Sequence, residues 1–332
     1  MSPRRVAIVG ATGAVGMEFL AVLETRRFPL RDLRLLASPR SAGQRLSFAG
    51  ESLPVEALGP DSFRGVDLAL FSAGGSVSRE HGPRAVAAGA IVVDNSSAFR
   101  LDDGVPLVVP EVNAAALAGH RGLIANPNCS TILLALALAP LQRTAGVRAV
   151  VVSTYQAASG AGQQAMLELR SSSAAVLRGE AAPPPRALPQ SLAFNVFPQV
   201  DVLQADGYTR EEDKLLYELR KILGLPQLRV DATCVRVPVE RCHSESVAVE
   251  LERPLAVAAA RELLARAPGL EFVDPLAQPP YPMPRERAGT DAVAIGRLRA
   301  GRVFSHGLTF WLVGDQLRKG AALNAVQIAE QV

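Results

Sequence analysis

Short apolar runs that end in glycine or polar turns alternate with amphipathic stretches through the first third of the chain. Residues 6–9 form an unbroken apolar run closed by Gly10, as a buried strand does before a sharp turn. From Ala14 to Thr25, the residues Val15, Phe19, Leu20 and Leu23 recur at helical spacing. Residues 33–37, 66–72 and 90–94 predict further strands, with a helical stretch at 83–88. Strands alternating with helices predict a parallel sheet with right-handed crossovers.

The pattern restarts after Asn126-Pro127-Asn128, where a domain boundary is expected. A helix over 129–141, a strand over 148–155 and a helix over 163–177 follow, and the proline-rich segment 181–190 reads as a loop or arm. Thr209 with Glu212 three residues on forms a capping box ahead of the stripe Leu215, Leu216, Leu219, Ile222 and Leu223. Strands then dominate, at 233–239, 246–252, 292–299 and 308–313, which predicts a mixed sheet. A last helix is expected over 321–331.

Length and composition narrow the class. A chain of 332 residues is long for one domain, so two are expected. With 48% hydrophobic and 20% charged residues and a mean hydropathy of +0.17, the chain is a folding one rather than a disordered one. Lys and Arg number 35 against 32 Asp and Glu, and basic residues cluster no further than pairs such as Arg4-Arg5, so no nucleic-acid face is expected. The longest apolar run, 132–141, is half of the roughly 20 residues a membrane span needs. Glycines interrupt the apolar start where a secretory core would be continuous. Cys129, Cys234 and Cys242 are odd in number and lack metal-ligand spacing, which points to a reduced cytoplasmic protein without a metal site.

Two segments carry candidate chemistry. Gly10-Ala-Thr-Gly13-Ala-Val-Gly16 lies between a predicted strand and helix, where backbone N–H groups can approach a pyrophosphate. Its plain alternative is a tight turn. After the next strand comes Ser38-Pro39-Arg40-Ser41, with no carboxylate for a ribose hydroxyl. A guanidinium beside hydroxyls favours the 2′-phosphate of NADP, unless Arg40 is simply a surface residue. In Asn126-Pro127-Asn128-Cys129-Ser130-Thr131 the cysteine opens an apolar helix, whose N-terminal N–H groups and dipole favour a thiolate nucleophile. A small buried hydrophobe is the plain alternative there. Such a nucleophile needs an acid–base partner. His81 and His120 read as polar-loop residues, His306 as a turn residue, and His243 as following a strand end, where it is either that partner or a surface histidine. Glu211 and Lys214, three apart on one helix flank, read as a solvated ion pair.

With these residues assembled, the chain resembles the aspartate-β-semialdehyde dehydrogenase family, NADP-dependent and of bacterial type. The likeness is carried nearly end to end by GATGAVG, ASPRSAG, SAGGSVS, DNSSAFR, VPLVVPEVN, ANPNCST, STYQAASGAG, GYTREEDK, ATCVRVPV, HSESV and LRKGAALNAVQIAE. It implies an α/β protein. A Rossmann-type NADP-binding domain (1–127 and 315–332) would be joined to an α+β catalytic and dimerisation domain (128–314) with a mixed sheet, like the C-terminal domain of glyceraldehyde-3-phosphate dehydrogenase. It implies a homodimeric enzyme that reduces L-β-aspartyl phosphate with NADPH and releases phosphate, in the synthesis of lysine, threonine, methionine and diaminopimelate. By the same resemblance Cys129 forms an acyl-thioester and His243 is the general acid/base. Gln156 orients the acyl group, Arg236 grips the α-carboxylate, Glu211 meets the α-amino group, and Arg100 and Lys214 bind phosphate. The cofactor would contact Gly10, Thr12, Gly13, Ala14, Val15, Arg40, Ser41, Ser159, Gly160 and Asn324. Two positions depart from the family pattern: Cys242 stands where Gly is common, and Gln199 where many relatives have His. The competing readings are another acyl-phosphate reductase, such as N-acetylglutamyl-phosphate reductase, and a non-catalytic NADP-binding paralogue.

Overall fold

The computed structural model describes residues 2–273 and 276–332. The chain divides into a first unit, Met1–Asn128 with Ala321–Val332, and a second, Cys129–Gly320. The second crossing lies six residues beyond the expected 314/315 boundary, because the segment after the last strand is tied into the second unit. There Asp315 accepts from Arg241 Nε at 2.6 Å, and Gln316 Oε1 accepts from the Cys242 amide at 2.8 Å.

The first unit is built on β1 (Arg4–Val9), α1 (Ala14–Thr25), β2 (Leu30–Ala37), β3 (Arg45–Phe48), β4 (Glu51–Ala57), β5 (Leu68–Phe71), α2 (Gly75–Ala87), β6 (Ile91–Asp94), α3 (Pro110–Asn113) and β7 (Leu123–Ala125). Its sheet runs β3-β4-β2-β1-β5-β6-β7, parallel except for the antiparallel β3–β4 pair at the edge. Val6 to Val9 are buried on both faces of central β1, which explains their unbroken apolar run. On one side of the sheet Phe19, Leu20 and Leu23 of α1 pack in one core with Leu323, Val326 and Ile328 of the C-terminal helix Leu323–Ala329. The β3–β4 hairpin was not expected from the sequence. Its apolar positions do alternate, Leu46 and Phe48 in β3 and Leu53 and Val55 in β4 facing the core, but over strands of only four and seven residues whose other positions are mostly exposed. Helix α2 starts eight residues before the expected 83 and carries Pro83 inside it. It also corrects the reading of His81, which is buried in α2 with its ring 6.4 Å from that of Phe63.

The second unit comprises α4 (Cys129–Ala145), β8 (Val147–Gln156), α5 (Gln163–Leu177), α6 (Arg210–Leu223), β9 (Arg229–Arg236), β10 (His243–Leu251), α7 (Val257–Ala265), β11 (Leu270–Phe272), β12 (Val293–Ala300) and β13 (Gly307–Gly314). The sheet order is β11-β12-β13-β10-β8-β9, with parallel β8–β9 and β11–β12 pairs and antiparallel pairs between. Helices α4 and α6 pack against it. The capping box at Thr209 forms as expected: Thr209 N donates to Glu212 Oε2 at 2.6 Å and Glu212 N to Thr209 Oγ1. Segment 181–190 has no regular structure; the Arg186 and Ala187 amides hold it to Glu168 Oε2. No helix among the described residues is long and apolar enough to cross a membrane.

Strand period sorts this sheet into two faces. Gln156, Thr154, Arg236, Cys234, His243 and Glu245 are buried, whereas Val151 and Tyr155 of β8 are exposed on the opposite face, the Tyr155 ring 5.3 Å from that of Trp311.

Candidate active site

Strand register sets the chemical groups of the second unit side by side. Gln156 pairs with Arg236 across β8–β9, and Ser244 pairs with Tyr155 across β10–β8. His243, one residue beyond, therefore lies level with Gln156 and on its face. His243 opens strand β10; it does not follow a strand end, because the chain between β9 and β10 turns through Pro238. Cys129 is the first residue of the 17-residue helix α4, whose first turn carries no acid.

The side chains converge through specific bonds. Gln156 Nε2 lies 3.2 Å from Ser130 Oγ, beside the cysteine, and 3.2 Å from Glu211 Oε1. Arg236 Nη1 donates to the Ala157 carbonyl at 2.6 Å, and the Ala157 amide donates to His243 Nδ1 at 3.1 Å. Arg236 Nε and His243 Nε2 are buried and make no hydrogen bond within the described chain. Such groups are costly to leave unpaired and are typical of a site that awaits a ligand.

Gly160, expected from the resemblance to touch cofactor, sits directly over these two groups. A Cβ there would come within 2.9 Å of Arg236 Nη1 and 3.1 Å of His243 Nε2. Gly320 has the same relation to the cysteine, since its Cβ would lie 3.0 Å from Cys129 Cβ. Gly160→Ala is therefore expected to keep the fold and to lower kcat/KM at least about tenfold, or about 1.4 kcal/mol. Steady-state kinetics beside a thermal melt would check it, and unchanged kinetics would show that the space over Gly160 is not used.

Glu211 and Lys214 are not a solvated surface pair. Glu211 is 5% exposed, and Lys214 Nζ lies 3.0 Å from its Oε2 and 2.7 Å from Asp201 Oδ2. Burial opposes the charge on Lys214, but the two carboxylates outweigh it and hold its pKa above the usual value. Asp201, which the sequence did not single out, reaches this pair from a backbone at φ 66°. Glu245, also unflagged, lies on the His243 face of β10, fully buried with both carboxylate oxygens unpaired, and burial pushes its pKa well up.

The three cysteines separate by environment. Cys234 and Cys242 are buried and Cys129 is partly exposed. Burial raises the pKa of Cys234, and that of Cys242 to about 12 with help from Asp315, so neither supplies thiolate at neutral pH. Cys242 has φ 75°, a backbone conformation that glycine adopts more readily than cysteine.

The first unit holds most of the residues expected to meet the nucleotide. Gly10 has φ 87° and a Cβ on it would overlap the Ser72 carbonyl, while one on Gly16 would overlap Gly10 O. Gly13 caps α1 without a side chain and no acid lies in the first turn, leaving a bare cradle that fits a pyrophosphate. Thr12 Oγ1 is 3.5 Å from Ser41 Oγ, which brings the segment after β2 to the loop that precedes Ala14 and Val15. Arg40 is exposed and makes no ion pair among the described residues. Asn324 is buried; its amide lies 2.9 Å from the Val108 carbonyl and 2.7 Å from Asn126 Oδ1. Arg100 likewise donates to backbone carbonyls, of Asn126 at 2.9 Å and Asn95 at 2.7 Å. Ser159, in the second unit, is buried and bonded to Gln316.

Residues 5–120 match the family described as semialdehyde dehydrogenase, NAD binding domain, and residues 138–319 its dimerisation domain. An aspartate-semialdehyde dehydrogenase from Synechocystis is 51% identical over 99% of this chain and 97% of its own length. The chain belongs to the aspartate-semialdehyde dehydrogenase family. A family member from Aquifex aeolicus is also 51% identical, over 98% of this chain and 97% of its own. Among solved structures, aspartate semialdehyde dehydrogenase II of Vibrio cholerae, complexed with ASA, superposes with a TM-score of 0.96 at 42% identity over 100% of this chain and 98% of that one. The Candida albicans member with NADP gives 0.77 at 25% identity, covering 99% and 98%. The glycine loop of Gly10 to Gly16 lies within the stretch that matches the NAD binding domain, and the Cys129 cluster lies in the second unit.

Proposed function

We propose that the chain reduces L-β-aspartyl phosphate to L-aspartate-β-semialdehyde and phosphate with NADPH, as a cytoplasmic homodimer in amino-acid biosynthesis. The observation that carries this reading is the cluster around Cys129, in which a buried carboxylate (Glu211) and a buried guanidinium (Arg236) offer opposite charges to an α-amino acid.

Bound NADPH supplies a hydride. The rest is the work of side chains. Cys129, favoured as thiolate by the N-terminus of α4, attacks the acyl carbon and forms a thioester as the C–O bond to phosphate breaks. Arg236 holds the α-carboxylate with its fork, Glu211 the ammonium, and Gln156 the acyl group beside Ser130. Lys214 and Arg100 take the phosphate, and His243 serves the acyl oxygen. Glu211 also argues against an N-acetylated substrate, since an amide offers it no cation. The open sheet face with Val151, Tyr155 and Trp311 is the surface for a second copy. Phosphate-dependent reduction of NADP with aspartate semialdehyde, run beside N-acetylglutamate semialdehyde, tests the assignment. Turnover of only the second compound would overturn it.

NADP rather than NAD is assigned on Arg40, Ser38 and Ser41, which face no carboxylate after β2. Arg40→Ala is expected to weaken NADP use relative to NAD by roughly 1.5–3 kcal/mol, as for hydrogen bonds to a charged group. Added salt shrinks the wild-type preference, since Arg40 is exposed. The ratio of kcat/KM for the two cofactors checks this, and an unchanged ratio would place the selector elsewhere.

A further inference from the structure

Resting on the proposed reaction, in which Lys214 takes the phosphate, we propose that Asp201 is a built-in competitor for that lysine. It is a positioning residue that weakens phosphate binding and so favours phosphate release. Lys214 Nζ donates to Asp201 Oδ2 at 2.7 Å and to Glu211 Oε2 at 3.0 Å, so its ammonium already serves two carboxylates. A phosphate oxygen has to take a place that one of them holds.

The two carboxylates differ in what parting from the lysine costs. Glu211 is 5% exposed, and a buried charge needs a cation beside it. In the proposed complex the substrate ammonium is that cation. The Asp201 side chain is 32% exposed, so water can solvate it when Lys214 turns away. Asp201 is therefore the partner that yields, and phosphate exchanges with it as one anion for another. Lys214 is the mobile member, a point charge on a flexible four-carbon stem.

The chain holds Asp201 where it competes. Its backbone stands at φ 66°, and its Oδ1 accepts from the Val202 amide at 2.8 Å, which leaves Oδ2 for Lys214. Beyond it Leu203 bridges Thr209, and the Arg210 amide donates to the Val202 carbonyl at 3.0 Å. Gln204 Nε2 donates to Asp213 Oδ2 at 2.7 Å. These bonds fold 201–209 back against the first turn of α6, which leads directly to Lys214. An acid on a free loop would follow the lysine to its ligand, whereas this one stays behind. A non-glycine residue kept in the left-handed region by its surroundings is the pattern expected where backbone strain serves a site.

Two effects follow for phosphate. Its affinity is reduced by the share of time that Lys214 spends on Asp201. Once phosphate is bound, the carboxylate that it displaced stands nearby as a like charge. Phosphate is a product in the biosynthetic direction, so both effects work toward its departure.

Isothermal titration with inorganic phosphate tests this on wild type, Asp201→Asn, Lys214→Ala and the double variant. Asparagine keeps a side-chain oxygen for the Val202 amide and tolerates the left-handed backbone, so the fold is expected to persist. We expect Asp201→Asn to bind phosphate at least about threefold more tightly than wild type, and the double variant to show no such gain over Lys214→Ala. In phosphate-dependent oxidation of aspartate semialdehyde, the KM for phosphate should fall by the same factor while that for the semialdehyde stays within about twofold. A purely structural Asp201 would lower kcat and the melting temperature and could not tighten phosphate. Unchanged or weaker binding in Asp201→Asn, a gain that survives loss of Lys214, or no binding to either protein would overturn the inference. The titration needs no turnover, so tightened binding in a protein that does not oxidise aspartate semialdehyde would overturn the proposed function alone.

Discussion

Cys129→Ala is expected to bind NADP as wild type does and to lose at least about 10⁴-fold in kcat, the scale on which a nucleophile's removal is felt. The substitution removes one sulfur from the first residue of α4 and leaves the helix, the Ser130–Gln156 bond and the first unit untouched. The controls follow from the environments of the other cysteines. Cys234→Ala should retain a substantial fraction of activity. So should Cys242→Gly, which places at φ 75° the one residue that adopts it without strain. Turnover by Cys129→Ala within about tenfold of wild type would remove the cysteine from the mechanism.

Arg236→Lys is expected to lower kcat/KM by about 10²–10³-fold, or roughly 2.7–4 kcal/mol, although charge is conserved. Nη1 is already bound to the Ala157 carbonyl, and Nε is buried without a partner, which leaves it for a carboxylate. One ammonium cannot reproduce both bonds at that fixed geometry. The same replacement frees the Ala157 peptide, whose amide holds His243, so the loss should appear in kcat as well as in KM. A kinetically silent Arg236→Lys would put the carboxylate clamp elsewhere.

What was legible in the sequence followed from strong local physics. The glycine loop after β1, the capping box at Thr209 and the cysteine opening an apolar helix each carry their signal within a few residues, and α1 and α5 occupy the expected ranges. The hidden features depend on register or on long-range contact. Glu245 lies in the polar-looking run His-Ser-Glu-Ser, and only the pairing of β10 with β8 and β13 turns it onto the buried face. Asp201 meets Lys214 across 13 residues of chain. The closeness of Gly320 to Cys129, and of Gly160 to Arg236 and His243, shows only in what a Cβ would strike, although the resemblance had already singled out Gly160. The edge hairpin β3–β4 escaped because its alternation, Leu46, Phe48, Leu53 and Val55, spans only two short strands, too few positions to set them apart from loop.

The first unit takes its final twelve residues, 321–332, from the far end of the chain, and their Leu323, Val326 and Ile328 lie in the same core as Phe19 and Leu23. During synthesis, the roughly 190 residues of the second unit must be made before that core can close. At about 5–20 residues per second, the nucleotide-binding half stays incomplete on the ribosome for roughly 10–40 s. The nucleotide-binding half therefore cannot close its core ahead of the second unit, although it is made first. Loss of the C-terminal segment would strike the domain that begins the chain.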